Sequence, residues 1–88
     1  MSQPQITIYT SPWCGYCRRA RKLLQDRNLV FTEIDVGGDG DLRDQMMARS
    51  HRDTVPQIFI GEQHIGGCDE LYALERSGEL DRITRGDR

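Results

Sequence analysis

Ile6-Thr7-Ile8-Tyr9-Thr10-Ser11-Pro12-Trp13-Cys14-Gly15-Tyr16-Cys17 is the segment that sets the architecture of this chain. Its first half is rich in β-branched and aromatic residues, which predicts a strand over residues 6–10 that ends at Ser11-Pro12. A helical pattern follows, so Cys14 is predicted to lie where that helix begins. The unpaired N–H groups and the positive end of a helix dipole stabilise a thiolate at such a position.

The C-x-x-C spacing predicts a redox pair. Residues three apart on a helix have β-carbons about 5–6 Å apart, so Cys17 can rotate onto Cys14 and close a disulfide. Thiolates attack disulfides, whereas thiols do not. Arg18 belongs to a basic helix face and is the residue best placed to tune the Cys14 thiolate, because nearby cations favour the ionised form.

The helix after the cysteine pair is predicted to be amphipathic, because apolar residues recur at helical spacing: Ala20, Leu23 and Leu24. Residues 30–36 predict a second strand. The resulting β-α-β unit is expected to have parallel strands and a right-handed crossover. Residues 41–50 predict a second helix, whose apolar side carries Leu42, Met46 and Met47.

The second half of the chain predicts a hairpin and one more helix. Residues 57–60 and 63–65 are predicted strands joined by Gly61-Glu62, and residues 69–77 a helix that Gly78 ends. The predicted order is βαβαββα, an α/β fold with a four-stranded mixed sheet flanked by helices. The polar tail at residues 84–88 is expected to be frayed and is assigned no function.

Length and composition exclude several classes. The 88 residues predict one domain over residues 1–88. A net charge of −2 favours neither a nucleic-acid partner nor an anionic membrane surface. Residues 1–5 have neither a basic region nor an apolar one and no apolar run is long enough to span a bilayer, so we expect neither a secretory leader nor a membrane span. The 3 cysteines are an odd number, which argues against a framework of structural disulfides, so we expect a reducing, cytoplasmic location.

Three segments of the sequence, taken in their order along the chain, resemble the glutaredoxins. They are Cys14-Gly15-Tyr16-Cys17, Thr54-Val55-Pro56-Gln57-Ile58-Phe59-Ile60 and His64-Ile65-Gly66-Gly67-Cys68-Asp69-Glu70-Leu71. A lone C-x-x-C is a weak signal, whereas three spaced blocks are a specific one. The resemblance implies a thioredoxin-like fold and a glutathione-dependent thiol–disulfide oxidoreductase.

The resemblance also implies roles for individual residues. Cys14 would be the nucleophile and Cys17 the resolving thiol. Pro56 would be cis, leaving the Val55 backbone open to pair with glutathione, and Asp69 would hold the γ-glutamyl ammonium. The glutathione site implied in this way consists of Tyr16, Arg52, Thr54, Val55, Pro56, Gly67, Cys68 and Asp69. Its substrates would be glutathione together with glutathionylated or disulfide-containing proteins, bound by a monomer.

Two positions depart from the common family pattern. Ser11 stands where a lysine commonly meets the glycine carboxylate of glutathione; Arg52 is our candidate for that charge, with Arg18 and Arg49 as weaker ones. Gly15 stands where the common motif has proline. Related proteins with glycine there can assemble a [2Fe-2S] cluster between two subunits, using the nucleophilic cysteine and glutathione thiols. A cluster-bridged homodimer with Cys14 as ligand is therefore the alternative function.

Other interpretations of the same residues stay open. Four residues have the side chains of zinc ligands: Cys14, Cys17, His64 and Cys68. A C-x-x-C beside a β-α-β pattern, however, is first of all redox-active. The Cys68 thiol is more simply a small buried hydrophobe. His51 and His64 have no evident role, because a thiolate at a helix end needs no separate base.

Overall fold

The computed structural model describes residues 3–85 of the chain. Its elements are β1 Ile6–Thr10, α1 Gly15–Asp26, β2 Thr32–Asp35, α2 Gly40–Ser50, β3 Gln57–Ile60, β4 Gln63–Gly66, α3 Cys68–Ser77 and α4 Glu79–Thr84. Every strand and helix predicted from the sequence is present, and α4 is additional. None of the helices in this range is long and apolar enough to cross a bilayer.

The strands form one mixed sheet in the order β2-β1-β3-β4. Strand β1 pairs with β2 in parallel and with β3 antiparallel, and β3 pairs antiparallel with β4. This arrangement confirms the predicted β-α-β unit and hairpin. Because β1 is central, all of its residues are buried. The cysteine pair follows shortly after its carboxyl end, at the start of α1.

The two faces of the sheet are covered differently. Alternate residues of β1 and β3, such as Ile8 and Ile58, pack on one face against apolar residues of α1, α3 and α4. Tyr9 and Phe59 point to the other face, where they pack with Met46 of α2. Since side chains alternate along a strand, a single central pair of strands supplies both cores.

Strand β2 is shorter than predicted. It begins at Thr32, whereas the prediction began at residue 30, and Val30 is 77% exposed. The side chain of Gln3 donates to the Val30 carbonyl at 2.6 Å and accepts from its N–H at 2.9 Å. The backbone of Val30 is therefore satisfied by a side chain and has no need of the sheet ladder.

The prediction missed α4 and was wrong about part of the tail. Gly78, at φ 80°, ends α3 and directly precedes α4. Leu80 is 1% exposed in the core, and Thr84 is buried, with its hydroxyl donating to the Leu80 carbonyl at 2.7 Å. Thr84 is thus ordered by packing and not frayed. The rest of that prediction, beyond Arg85, lies outside the described residues.

Candidate active site

Cys14 caps the N-terminus of α1. Its backbone is extended, at φ −100° and ψ 109°, and its Sγ accepts a hydrogen bond from the Cys17 N–H at 3.1 Å. Trp13, at φ 66°, turns the chain between β1 and this cap. The sulfur therefore lies against the unpaired amides of a helix end, as the sequence predicted, where negative charge is stabilised.

The two sulfurs of the motif differ in exposure and acidity. Cys14 is partly exposed, whereas Cys17 is fully buried beneath it. Burial, reinforced by the hydrogen bond with Cys14, raises the pKa of Cys17 from 9.0 to about 12. Cys17 is therefore a protonated thiol at neutral pH, and Cys14 is the sulfur that an incoming disulfide can reach.

An open groove of about 340 Å³ lies beside the cysteine pair. The Cys14 Sγ is 3.9 Å from the Val55 carbonyl oxygen at its wall. The Val55–Pro56 peptide bond is cis, as predicted. The groove brings together every residue that the sequence assigned to glutathione, and two more; its lining is Tyr16, Arg52, Thr54, Val55, Pro56, Gln57, Gly67, Cys68, Asp69 and Glu70.

One end of the groove is the N-terminus of α3. Gly67 caps this helix, and Asp69 lies exposed in its first turn. Cys68, the first helical residue, is 5% exposed, and burial raises the pKa of its thiol. Its sulfur is accordingly protonated at neutral pH, while the start of α3 offers backbone N–H groups to an anion.

Glu70 is a groove residue that the sequence analysis did not single out. Its Oε1 accepts from the Gly67 N–H at 2.7 Å, and this hydrogen bond lowers the pKa of the Glu70 carboxyl. The same oxygen lies 3.8 Å from the Arg52 guanidinium. The signal was available in the sequence, since a glutamate in the third position of a helix commonly bonds back to the cap.

The three arginines proposed to replace the missing lysine lie in different places. Within residues 3–85, Arg52 is the only lysine or arginine that lines the groove. The Arg49 guanidinium lies 4.0 Å from the centre of the Phe59 ring and donates to the Tyr9 hydroxyl at 3.1 Å. Arg18 is exposed on α1 and does not line the groove.

Gln57 is the second groove residue that sequence reasoning missed. It is fully buried at the start of β3, and its Nε2 donates to the carbonyl oxygen and the hydroxyl of Thr54 at 3.0 and 3.1 Å. His64 lies 2.7 Å from its Oε1. A fully buried glutamine is unusual because its amide must be satisfied, and here it ties β3 to the groove wall.

The structure does not assemble the alternative zinc site. In the described part of the chain, no three histidine, cysteine or acidic side chains converge as metal ligands. His64 instead stacks on Phe59, with ring centres 4.9 Å apart, and bonds to Gln57. The four residues with the chemistry of zinc ligands therefore do not form a tetrahedral set.

Comparison with known proteins decides the family. The family model described as Glutaredoxin matches residues 6–65, which includes the cysteine pair, the cis-proline segment and most of the sheet. This chain belongs to the glutaredoxin family. A glutaredoxin of Pseudomonas aeruginosa is 50% identical over 80 residues, covering 91% of this chain and 95% of the relative.

Solved glutaredoxin structures share the fold. The solution structure of glutaredoxin from Brucella melitensis is 48% identical, with a TM-score of 0.84 over 100% of this chain and 97% of that one. A crystal structure of a buckwheat glutaredoxin–glutathione complex is 31% identical, with a TM-score of 0.84 over 96% and 78% of the two chains. The thioredoxin-like fold is confirmed, and the chain is a glutathione-dependent thiol–disulfide oxidoreductase in the general sense of the family.

Proposed function

We propose that this protein reduces glutathione mixed disulfides and protein disulfides through the Cys14 thiolate, with Cys17 as the resolving thiol. The observation that carries the proposal is the position of the Cys14 Sγ, partly exposed at a helix N-terminus and 3.9 Å from the Val55 carbonyl oxygen at the groove wall. A disulfide that enters the groove therefore meets the one cysteine of the pair that is accessible.

With a glutathionylated protein, the Cys14 thiolate attacks the glutathione sulfur. The protein–glutathione disulfide breaks, the protein leaves as a thiolate that takes up a proton, and Cys14 keeps the glutathione as a mixed disulfide. A second glutathione thiolate then attacks the bound glutathione sulfur. Glutathione disulfide leaves, and Cys14 is again a thiolate.

With a protein disulfide, Cys14 attacks one sulfur and releases the other as a thiol. The buried Cys17 thiol then gives up its proton and attacks the Cys14 sulfur, which closes the Cys14–Cys17 bridge and frees the second substrate thiol. Two glutathione molecules reduce the bridge and become one glutathione disulfide. Burial of Cys17 supports this division of roles, because a thiol with a raised pKa does not compete with Cys14 for the first attack.

The charges around the groove match those of glutathione. The exposed Asp69 carboxylate can pair with the γ-glutamyl ammonium, and the first N–H groups of α3, at Cys68 and Asp69, can bind the adjacent carboxylate. Arg52, whose guanidinium lies 3.8 Å from the Glu70 carboxylate, is the groove cation proposed to bind the glycine carboxylate. The backbone of Val55 pairs with the cysteine residue of glutathione, and Tyr16, 59% exposed, flanks the reacting sulfur.

The test is a glutathione-coupled assay with a small glutathione mixed disulfide. We expect turnover by the wild-type protein and complete loss in Cys14→Ser, whose circular dichroism should match that of the wild type. Cys68→Ser is the matched control, since that thiol also borders the groove but is buried and protonated. Persistent activity in Cys14→Ser, or its loss in a folded Cys68→Ser, would contradict the assignment.

A second candidate is a glutathione-ligated [2Fe-2S] cluster held between two subunits by Cys14 thiolates. The supporting observation is the open surface beside this sulfur: Trp13 is 97% exposed, and apart from the neighbouring residues and the helix's own backbone no atom would contact a β-carbon at Gly15. Protein purified without oxygen and in the presence of glutathione should then carry a cluster absorption and elute as a dimer. Colourless protein under these conditions would contradict cluster binding, and the oxidoreductase function would be the only remaining candidate.

The remaining expectations stay predictions. We expect a single domain that acts as a monomer in the cytoplasm, without nucleic-acid or membrane partners. Sedimentation of the reduced protein tests the oligomeric state, and cell fractionation tests the location.

A further inference from the structure

The groove wall next to Cys14, formed by Thr54 and Val55, is held in place by a buried side chain. Gln57 is fully buried, and its Nε2 donates both to the carbonyl oxygen and to the hydroxyl of Thr54. Thr54 immediately precedes Val55, whose carbonyl oxygen lies 3.9 Å from the Cys14 Sγ. The orientation of one amide therefore affects the position of the backbone that glutathione pairs with.

That orientation depends on a donor on the other side of the amide. The Thr54 carbonyl can only accept, so the amide nitrogen of Gln57 must face it, and Oε1 must then face His64. The His64 Nε2 lies 2.7 Å from this oxygen, so it carries a proton and donates. No buried side-chain nitrogen or oxygen within residues 3–85 lacks a partner. Loss of the imidazole donor would leave the buried Gln57 oxygen unpaired.

The sheet and its neighbours hold His64 in place. His64 lies opposite Phe59 in the β3–β4 ladder, and their rings are 4.9 Å apart with planes at 31°. Gln57 and Phe59 are two residues apart on β3, so both side chains share the face that His64 occupies. Burial and the Arg52 charge lower the pKa of His64, so its ring is neutral at pH 7 and donates as the Nε2–H tautomer.

We infer that His64 is a positioning residue of this enzyme: through the Gln57 amide it fixes the Thr54-Val55 wall against which glutathione binds. The inference rests on the proposed glutathione groove. His64 does not touch the substrate and does not act as an acid or base. Its contribution is therefore to the binding of glutathione substrates and not to the reactivity of Cys14.

The experiment compares His64→Phe, which keeps a ring against Phe59 but has no donor, with the wild type. The KM for a glutathione mixed disulfide should rise about fivefold, the effect typical of one neutral hydrogen bond, while kcat stays the same. The rate at which iodoacetamide alkylates Cys14 should not change. A wild-type KM, or a changed kcat with an unchanged KM, would overturn the inference.

Two further variants separate a positioning role from simple loss of packing. His64→Gln and His64→Met have similar shape, but only glutamine can donate to the Gln57 oxygen, so methionine should have the higher KM. If His64 acts through Gln57, the double variant with Gln57→Leu and His64→Phe should have the KM of Gln57→Leu alone. Multiplicative effects would contradict the inference, as would equal KM values for the glutamine and methionine variants.

Failure of the inference can be told apart from failure of the proposed function. If the wild type turns over glutathione mixed disulfides and Cys14→Ser does not, the proposed function stands whatever the His64 variants do. Nuclear magnetic resonance gives an independent readout, since the Gln57 side-chain amide protons should exchange with solvent faster in His64→Phe. Unchanged exchange would show that the imidazole does not hold the amide.

Discussion

The sulfur of Cys14 lies 3.9 Å from the carbonyl oxygen of Val55, although 41 positions separate the two residues in the chain. This contact joins the helix that begins at the cysteine pair to the segment that precedes β3. The proposed nucleophile and the wall of the proposed glutathione groove therefore meet at one point.

Cys17→Ser should separate the two reactions. The backbone N–H that bonds the Cys14 sulfur is kept, so kcat/KM for a glutathione mixed disulfide should stay within a factor of about two of the wild type. Reduction of a protein disulfide should fall to the background rate, because no resolving thiol remains. Steady-state assays with the two substrates measure this. Loss of both activities in a folded variant would show that Cys17 is needed for the first step.

Stability should fall in alkaline solution because of Cys17. Its folded pKa is about 12, whereas the unfolded thiol has a pKa of 9.0. Between these two pH values, Cys17 of the unfolded chain has lost its proton, whereas Cys17 of the folded chain keeps it. The stabilising contribution of the buried Cys17 thiol to the free energy of unfolding is therefore fully present below pH 9.0 and is lost as pH rises towards 12. The drop in Tm between about pH 7.5 and about pH 10.5 should be smaller for Cys17→Ser than for the wild type. Equal drops would contradict burial of the thiol.

Asp69→Asn should raise the KM for glutathione mixed disulfides about tenfold, because it removes the carboxylate proposed to pair with the ammonium group. Asp41→Asn is the matched control: Asp41 is likewise exposed and second in its helix, but it lies on α2. Its KM should be that of the wild type. Equal changes in the two variants would point to a general charge effect and remove the ammonium contact.

Arg52→Ala should raise the same KM by a smaller factor, about threefold, because its side chain is about half exposed and an exposed ion pair is weak. Added salt should reduce the difference from the wild type. Arg76→Ala removes an equal charge at a position that does not line the groove and should have no effect. If Arg52→Ala also leaves the KM unchanged, Arg52 does not bind the glycine carboxylate in place of the lysine that Ser11 replaces.

Leu80→Ala should destabilise the protein by about 2–4 kcal/mol, since the leucine is buried where α4 packs on the first face of the sheet. Urea denaturation measures the free energy of unfolding. Ile83→Ala is a milder comparison, because Ile83 is only partly buried against the same core. A loss below about 1 kcal/mol for Leu80→Ala would mean that α4 contributes little to the core.

The order of elements could be predicted because the patterns were local. The β-branched and aromatic run at residues 6–10, the helical spacing of Ala20 and Leu24, and the turn residues Gly61-Glu62 each report the conformation of a few neighbouring residues. Helix α4 was missed for the same reason. Its six residues are too few to show a period, and it forms because Leu80 finds a core supplied by distant elements.

The sequence by itself determined the redox pair and the family blocks, because each depends on residue type and close spacing. The family resemblance then named the groove residues except Gln57 and Glu70. Tertiary structure alone decided which arginine reaches the groove, how far Cys17 is buried and what the Gln57 amide bonds to. These depend on distances between segments far apart in the chain. No short-range pattern carries such distances, since they arise only when the sheet brings β1, β3 and the helix ends together.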